Sequence, residues 1–481
     1  QGDPVDHEIA LALRPGVFIH DRACFAFVSG LEGVAREIAE LVGSDPERAV
    51  ARFETILAGC QEKAEEVDDS SGSFGQFVQG LFCGWVKARQ AAGADRDKTA
   101  ARLLDWMEDD PFGYCMHLEK DLANVLDTGG RDALVERVRA RFDSAAAEEP
   151  QPDASVFRDP GFLCRRWGKV LRALYVAQKD VAAYVSLAER TGLSGQDCHA
   201  IATLLASRRR LEEALAWVER GVIIDGGAPY ATSALHDLAK LMRELLCRLG
   251  REDEAREDAW AEFRKYPSTF TYSELMKFVP KTDCRAWHEK AMDAAAGARL
   301  GSLVELLLEI KEIERLADLV GRTSDAELEA ESHYVTEPAA KVLEQAHPGV
   351  AARLWRAQGM RVVNAGKSEY YAAAIRNFGD AKRCYERAGL AAKWAKIVIE
   401  VRAAHHRKTG FMPGFEKVVL GSRPIDEPSF LDRARARWGG RRTDAELPLP
   451  HGPTPGRLNP TPPHVAHPTA SGPHLTAERD G

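Results

Sequence analysis

The sequence predicts an all-α protein: an α-solenoid of stacked helical hairpins, followed by a proline-rich tail. Three observations carry this expectation. Apolar residues recur at i, i+3, i+4 and i+7 in segment after segment between residues 21 and 406. No convincing strand interrupts them; Val222–Ile224 is too short and falls where a hairpin loop is expected. The stretch from His199 to Pro267 reads as two hairpins laid side by side, and a hairpin of that size cannot bury its apolar face alone, so neighbours must stack on it.

Those central hairpins set the pattern. Ile201, Ala202 and Leu205 lead into a polar turn at Ser207–Arg210, and Leu211, Ala214, Leu215 and Val218 line the returning helix. Leu235, Leu238, Met242, Leu245 and Leu249 repeat the stripe, Gly250 breaks it, and Ala255, Ala259 and Phe263 resume it before Pro267 ends it. Small alanines at Ala214 and Ala255 let neighbouring backbones approach closely.

Taken in order, residues 1–18 form a short lead-in and a helix runs from Asp21 to Leu41. Asp45 caps the next helix, with Pro46 at its first position, and Ala49, Phe53, Ile56, Leu57 and Cys60 form its apolar face. After an acidic loop, Glu65–Ser71, a helix carries Phe74, Phe77, Val78, Leu81, Phe82, Trp85 and Val86 on one broad face. Helices at Thr99–Met107, Tyr114–Leu126 and Ala133–Phe142 follow. Beyond a linker at Glu148–Asp153 come Phe162–Ala177, Val181–Arg190 and the central hairpins. Ser273–Phe278, Cys284–Ala296, Leu303–Ile313, Ala339–Gln345, Val350–Val363, Tyr370–Leu390 and Ala391–His406 complete the helical pattern. Three regions result: an N-terminal helical domain at 1–147, a repeat domain at 156–438, and a tail at 439–481 with nine prolines and four histidines, a composition expected to be disordered.

At 481 residues the chain is long enough for a sizeable core, and its net charge of −8 excludes binding to nucleic acid or an anionic membrane through overall charge. Nine cysteines are spread singly, with no C-x-C or C-x-x-C, which suits reduced buried thiols rather than a disulfide framework. The start lacks a secretory signal, and its first residue, Gln1, is the start expected of a trimmed or partial chain. Ser70–Val86, the longest uncharged stretch, is too rich in Gly, Ser and Gln to span a membrane. A soluble cytoplasmic protein is expected.

Chemical motifs are weighed on context. Ala365–Gly366–Lys367–Ser368 resembles the end of a phosphate-binding loop, but Arg361 stands where that loop needs glycine, and helix precedes it instead of a strand. A glycine cap followed by a serine N-cap explains it. The acidic loop Glu65–Ser71 lacks the calcium-loop order, and Ser71 or Ser73 is the expected cap of the helix after it. Cys115 with His117, and Cys198 with His199, lack a second pair for zinc. No nucleophile elbow, H-E-x-x-H or dinucleotide turn occurs, and the pairs Glu212–Glu213 and Asp253–Glu254 open helices where negative charge suits the dipole. No catalytic residue, metal or cofactor is therefore assigned. Basic clusters occur at Arg208–Arg210 and His405–Lys408, and Arg433, Arg435, Arg437, Arg441 and Arg442 surround Trp438 in a run suited to phosphate contact and base stacking.

Pro46–Lys63, Asp68–Gln90 (DDSSGSFGQFVQGLFCGWVKARQ) and Ala403–Lys417 (AAHHRKTGFMPGFEK) resemble one uncharacterised bacterial family, a domain of unknown function, over about Leu13 to Trp438. The resemblance implies kinship with the helical region behind SWIM zinc fingers. The finger needs a C-x-C pair and a later C-x-H, which this chain lacks, so zinc and DNA binding by that route are not implied. Ile201–Val218 and Leu246–Pro267 also resemble tetratricopeptide repeats, departing from the pattern at Arg243 and Glu262, where small residues are expected.

Three functions from different classes follow. The preferred one is a non-catalytic scaffold holding a protein or peptide partner on the concave face of the array. A nucleic-acid accessory protein would instead use Arg433, Arg435, Arg437, Trp438, Arg441 and Arg442. An all-helical enzyme would assemble a deep polar pocket of Glu, His or Arg from distant residues. No membrane role is expected.

Overall fold

A computed structural model describes residues 4–148, 159–226 and 233–421. Among these residues every regular element is a helix; the one β feature is an isolated parallel bridge between Ile19 and Val67. The all-α expectation holds. The chain divides into two compact units, Gln1–Gln358 and Gly359–Gly481.

The first unit opens with α1 (Pro4–Leu13), α2 (Asp21–Leu41), α3 (Pro46–Lys63), α4 (Ser73–Ala91), α5 (Arg96–Glu108), α6 (Glu119–Val125) and α7 (Thr128–Ala147). It continues through α8 (Pro160–Gln178), α9 (Val181–Thr191), α10 (Gly195–Ser207), α11 (Leu211–Gly226), α12 (Ser233–Arg248), α13 (Glu252–Lys265), α14 (Thr269–Lys277), α15 (Cys284–Ala295), α16 (Leu300–Glu309), α17 (Ile313–Arg322), α18 (Asp325–Ala330) and α19 (His333–Ala346). Then come α20 (Pro348–Ala365), α21 (Tyr371–Arg387), α22 (Ala391–His405) and α23 (Met412–Leu420).

From α7 to α14 each helix packs on the next, and α12 also reaches back to α10, the nearest-neighbour pattern of a solenoid. Helices α7 and α8, which flank residues 149–158, pack directly on one another. Aspartates start many of the helices. Asp45, Asp95, Asp127, Asp159 and Asp180 each accept the backbone N–H three residues on, at 2.6–3.2 Å. Each cap is worth about 1 kcal/mol.

The central hairpins form where expected. Ala214 and Ala255 are fully buried, and Gly221 brings α11 close to both neighbours: a β-carbon there would lie 2.8 Å from Cys198 Cβ and 3.0 Å from Leu238. The two departures from the repeat pattern explain each other. Buried Arg243 on α12 donates to Glu262 on α13 at 2.5 Å and to Asp258 at 2.6 Å, so the large residues face one another as an ion pair.

Several elements differ from expectation. The lead-in contains α1, whose Ile9 and Leu13 are buried. It is tied down by buried Lys63, which donates to the carbonyls of Arg14 (2.7 Å) and Val17 (2.5 Å) and to Glu66 (2.6 Å). The helix expected from Tyr114 begins only at Glu119, because Gly113 and His117 adopt positive φ and break the path. Val222–Ile224 is the last part of α11, not a loop. Helices α17, α18 and α23 have no counterpart in the sequence reading. All nine cysteines are free thiols, five buried and four half-buried, as expected; burial pushes Cys60 up to about 12.

In the second unit, Phe378, Phe411 and Phe415 form an aromatic core with ring centroids 5.1–5.9 Å apart. His405 is buried at the end of α22, and its Nε2 has no hydrogen-bond partner. Burial, helped by the Lys408 charge, holds its pKa below the ordinary 6.5.

Two outcomes follow from this packing. Gly221→Ala is expected to cost about 1–3 kcal/mol in urea denaturation, because α10 and α12 must move apart to admit the methyl group. His405 is neutral in both folded and unfolded chains above pH 6.5; below it the unfolded chain takes up the proton first, so stability falls. Melting temperatures of wild type and His405→Leu, compared from pH 7.5 to 5.5, should show the variant gaining on the wild type as the pH drops.

Candidate functional site

The basic run proposed from sequence, Arg433, Arg435, Arg437, Trp438, Arg441 and Arg442, lies outside the described residues, as does the 439–481 tail. Members of the other basic clusters are spent on structural contacts. Arg208 donates to the Lys179 carbonyl at 2.5 Å, Arg210 pairs with Glu213 at 2.6 Å, and Lys408 donates to the Val363 carbonyl. Gly366 ends α20 with φ +70° as expected, but Ser368 starts a 3-10 turn rather than capping a helix. In the acidic loop Glu66 is held by Lys63, and Asp69 accepts from Phe74 and Gly75 N–H at 2.9 and 2.8 Å; Asp69, and not Ser71 or Ser73, caps α4. Among the described residues no group of three His, Cys, Asp or Glu is placed to hold a metal ion.

What the structure assembles instead is a groove between α2 and α4. The two helices start side by side, with Phe27 and Phe74 rings 5.9 Å apart. The broad apolar face read from the sequence, Phe74 to Val86, is spent on the core except for half-buried Phe77; Trp85 and Val86 are fully buried. The next face of α4 carries the small residues Gly80, Cys83 and Gly84, which line a concavity together with Ala35 and Ala39 of α2. The result is an open concavity of about 830 Å³, floored by Val28, Phe53 and Leu81 and walled by Phe25 and Phe77. Phe25 is 79% exposed, an unusual place for a phenylalanine on an otherwise amphipathic helix.

The groove's two glycines do different work. At Gly84 a β-carbon would sit 2.5 Å from the Phe53 ring, so the glycine lets α3 and α4 approach. At Gly80 a β-carbon would meet nothing within 4 Å: that side of the helix is open. Glycine in an open helix interior costs about 1 kcal/mol relative to alanine with no return in packing. Charged residues stand only at the rim, Glu32 and Arg36 on α2 and Lys87 on α4. Cys83, whose thiol is pushed up to about 11 by burial and the Asp121 charge, is a packing surface rather than a nucleophile.

A second, polar concavity of about 640 Å³ lies between α6, α8 and the start of α10. One wall is a closed network around Asp197. Its carboxylate accepts from Arg172 Nε at 2.7 Å, Tyr184 hydroxyl at 3.1 Å, and Ser194 hydroxyl at 2.8 Å. Burial pushes this carboxyl up, but the bonds and charge of Arg172 and the Ser194 bonds outweigh it and leave it below the usual carboxylate range. Burial and the Asp197 charge push Tyr184 up, so its hydroxyl stays protonated as the donor. On the other side, buried Glu119 accepts from Lys169 at 2.8 Å, and Lys169 also donates to His117 Nδ1 at 2.7 Å. Sequence reading missed both concavities; the available signal for the first was Gly80 and Gly84, four apart inside a helix with neither near an end.

Residues 9–413 match a protein family described as a family of unknown function (DUF6880). No curated protein matches the chain. Among the solved structures that resemble it are two whose overlap is weak. "Structure of Naa15/Naa10 bound to HypK-THB" is 13% identical, covering 91% of this chain and 71% of that one, with a TM-score of 0.29. "Circular tandem repeat protein with novel repeat topology and enhanced subunit contact surfaces" is 13% identical over 91% and 97%, with a TM-score of 0.18. At such low overlap neither transfers anything to this chain.

Alanine at the two groove glycines should act in opposite directions. Gly84→Ala is expected to lose about 1–2 kcal/mol as Phe53 is displaced. Gly80→Ala should gain about 1 kcal/mol by helix propensity alone. Chemical denaturation of the two variants beside the wild type checks both signs.

Proposed function

The chain belongs to the DUF6880 family, and we propose that it is a non-catalytic scaffold whose α2–α4 groove holds an amphipathic helix of a partner protein. The observation that carries this reading is the open floor of the groove: Gly80 faces nothing, with alanines opposite, beside an exposed phenylalanine. Helices pack with axes about 8–10 Å apart, and small residues on one of them allow the closest approach. The groove runs from Phe25 to Ala39 on one side and Ser73 to Lys87 on the other. At about 1.5 Å per residue that is about 21 Å, four turns of a bound helix. Recognition would follow the helix-in-groove mode, with apolar anchors buried beside Phe25 and Phe77 and the partner's polar face meeting Glu32, Arg36 and Lys87 at the rim.

The same reading keeps the kinship with the helical region behind SWIM zinc fingers as a likeness of fold, without the finger's zinc chemistry.

The test places a photo-crosslinking amino acid at Gln76, an exposed groove residue, in wild type and in Gly80→Phe. Because Gly80 faces open space, the phenylalanine should fill the groove and leave the melting temperature unchanged or raised. The scaffold reading expects crosslinks in native extract to an amphipathic helical segment of a protein, reduced at least tenfold by Gly80→Phe. Equal crosslinking in the filled variant would overturn it, as would capture of nuclease-sensitive material alone, which would favour the Arg433–Arg442 run.

A further inference from the structure

We propose that the polar concavity between α6, α8 and α10 is a binding site for a small organic anion, a carboxylate or phosphate head carried on an apolar body. The proposal is independent of the groove: the two sites share no lining residue.

The size suits such a ligand. About 640 Å³ falls within the roughly 300–1,000 Å³ usual for small-molecule sites. The charges settle the sign. Lys120, Lys169 and Arg172 line the space against Glu119 and Asp197, so three cations meet two carboxylates. Both carboxylates are buried and already held, Glu119 by Lys169 and Asp197 by Arg172, Tyr184 and Ser194. Each carboxylate's charge is thus met by a cation, Asp197 on both oxygens and Glu119 through one, and Lys120 is the cation left over.

The polar groups left over are mostly donors. Lys169 has three N–H bonds and spends two, on Glu119 at 2.8 Å and His117 at 2.7 Å. Lys120, Asn124, Gln196 and His199 line the cavity, and among the described residues their side chains have no hydrogen-bond partner. Arg172, by contrast, is spent on Asp197, Thr191 and Gly168 and acts as a fixed positive wall. An ammonium ion with one unspent N–H, beside a second lysine and side-chain amides, matches an oxyanion. Ala123, Ala173, Val176, Ala177 and Ala200 supply the remaining wall, a smooth apolar surface that inorganic phosphate would not use.

The backbone adds an independent sign of construction. His117 holds φ +70°, a left-handed conformation uncommon for a residue with a β-carbon. In that conformation its Nδ1 reaches Lys169, and because the ammonium can only donate, the ring accepts there and its proton sits on Nε2. Glu119 and His117 together fix an otherwise flexible, half-exposed lysine at the cavity edge, the preorganisation that a binding site requires.

Isothermal titration of the full chain with benzoate, phenyl phosphate, benzamide and inorganic phosphate tests this directly. Benzoate or phenyl phosphate should bind at least tenfold more tightly than neutral benzamide and than inorganic phosphate; the tighter of the two identifies the head group. Lys120→Met, at an exposed position with no partner to strand, should weaken binding at least tenfold with an unchanged melting temperature. Val176→Trp at the cavity rim should abolish binding with the fold intact by circular dichroism. Benzamide binding as tightly as benzoate would overturn the anion assignment. Phosphate binding as tightly as phenyl phosphate would overturn the role of the apolar wall. Absence of binding by both organic anions would overturn the site.

Discussion

The junction between the N-terminal helices and the central hairpins depends on one buried carboxylate. Asp197 stands at the third position of α10, where it completes a capping box with Ser194, and the same side chain reaches Arg172 on α8 and Tyr184 on α9. A carboxylate at 4% exposure is tolerable only when its oxygens are filled, and here they are filled from three helices. The cap fixes where α10 begins, the ion pair fixes where α8 lies against it, and the phenol fixes α9 between them. Stacking of Leu205, Leu215 and Leu238 then follows on a frame already aligned. Lys63 plays the same part at the start of the chain. Arg353 plays it at the end of α17, donating to the carbonyls of Val320, Gly321 and Thr323 that the helix leaves unpaired.

The α2–α4 groove arises by subtraction. Most of α4 is committed to the core, so the helix is held rigidly, Gly84 is covered by the Phe53 ring, and Gly80 leaves the next face unfilled. A rigid wall with a missing layer of side chains is what a helical ligand needs: little has to be ordered on binding, and the backbone is within reach. The exposed Phe25 is the complementary excess. It contributes nothing to the chain's core, yet it lines the space that Gly80 leaves empty.

Much of the fold was legible because helical periodicity is local. The spacing of Leu211, Ala214, Leu215 and Val218 depends only on residues one or two turns apart, and α11 forms there. Asp45 and Pro46 announced α3 for the same reason. Signals that span elements were not legible. The capping of α4 by Asp69 rather than Ser73 depends on how the loop returns, and the left-handed residue His117 cannot be told from an ordinary helical histidine by type alone. Lys169 and Glu119 lie 50 positions apart, and each reads as a surface charge until the chain brings them within 2.8 Å. The basic run around Trp438 stood out because it is contiguous, which is a property of sequence and says nothing of convergence in space.

Arg243 and Glu262 show why a repeat consensus transfers poorly to this chain. Each alone looks like an error, a long charged residue where a small one should let two helices meet. Together they make a 2.5 Å pair across α12 and α13, with Asp258 as a second acceptor, and the helices still stack. Removing one partner strands a buried charge, whereas exchanging the set for well-packed apolar residues is often neutral. Such a pair therefore changes as a unit, and positions that a regular repeat gives to small packing residues hold a structural ion pair here. The binding surface of a divergent solenoid has to be found where side chains are unspent, and in this chain those places are the open glycine face of α4 and the uncommitted donors around Lys169.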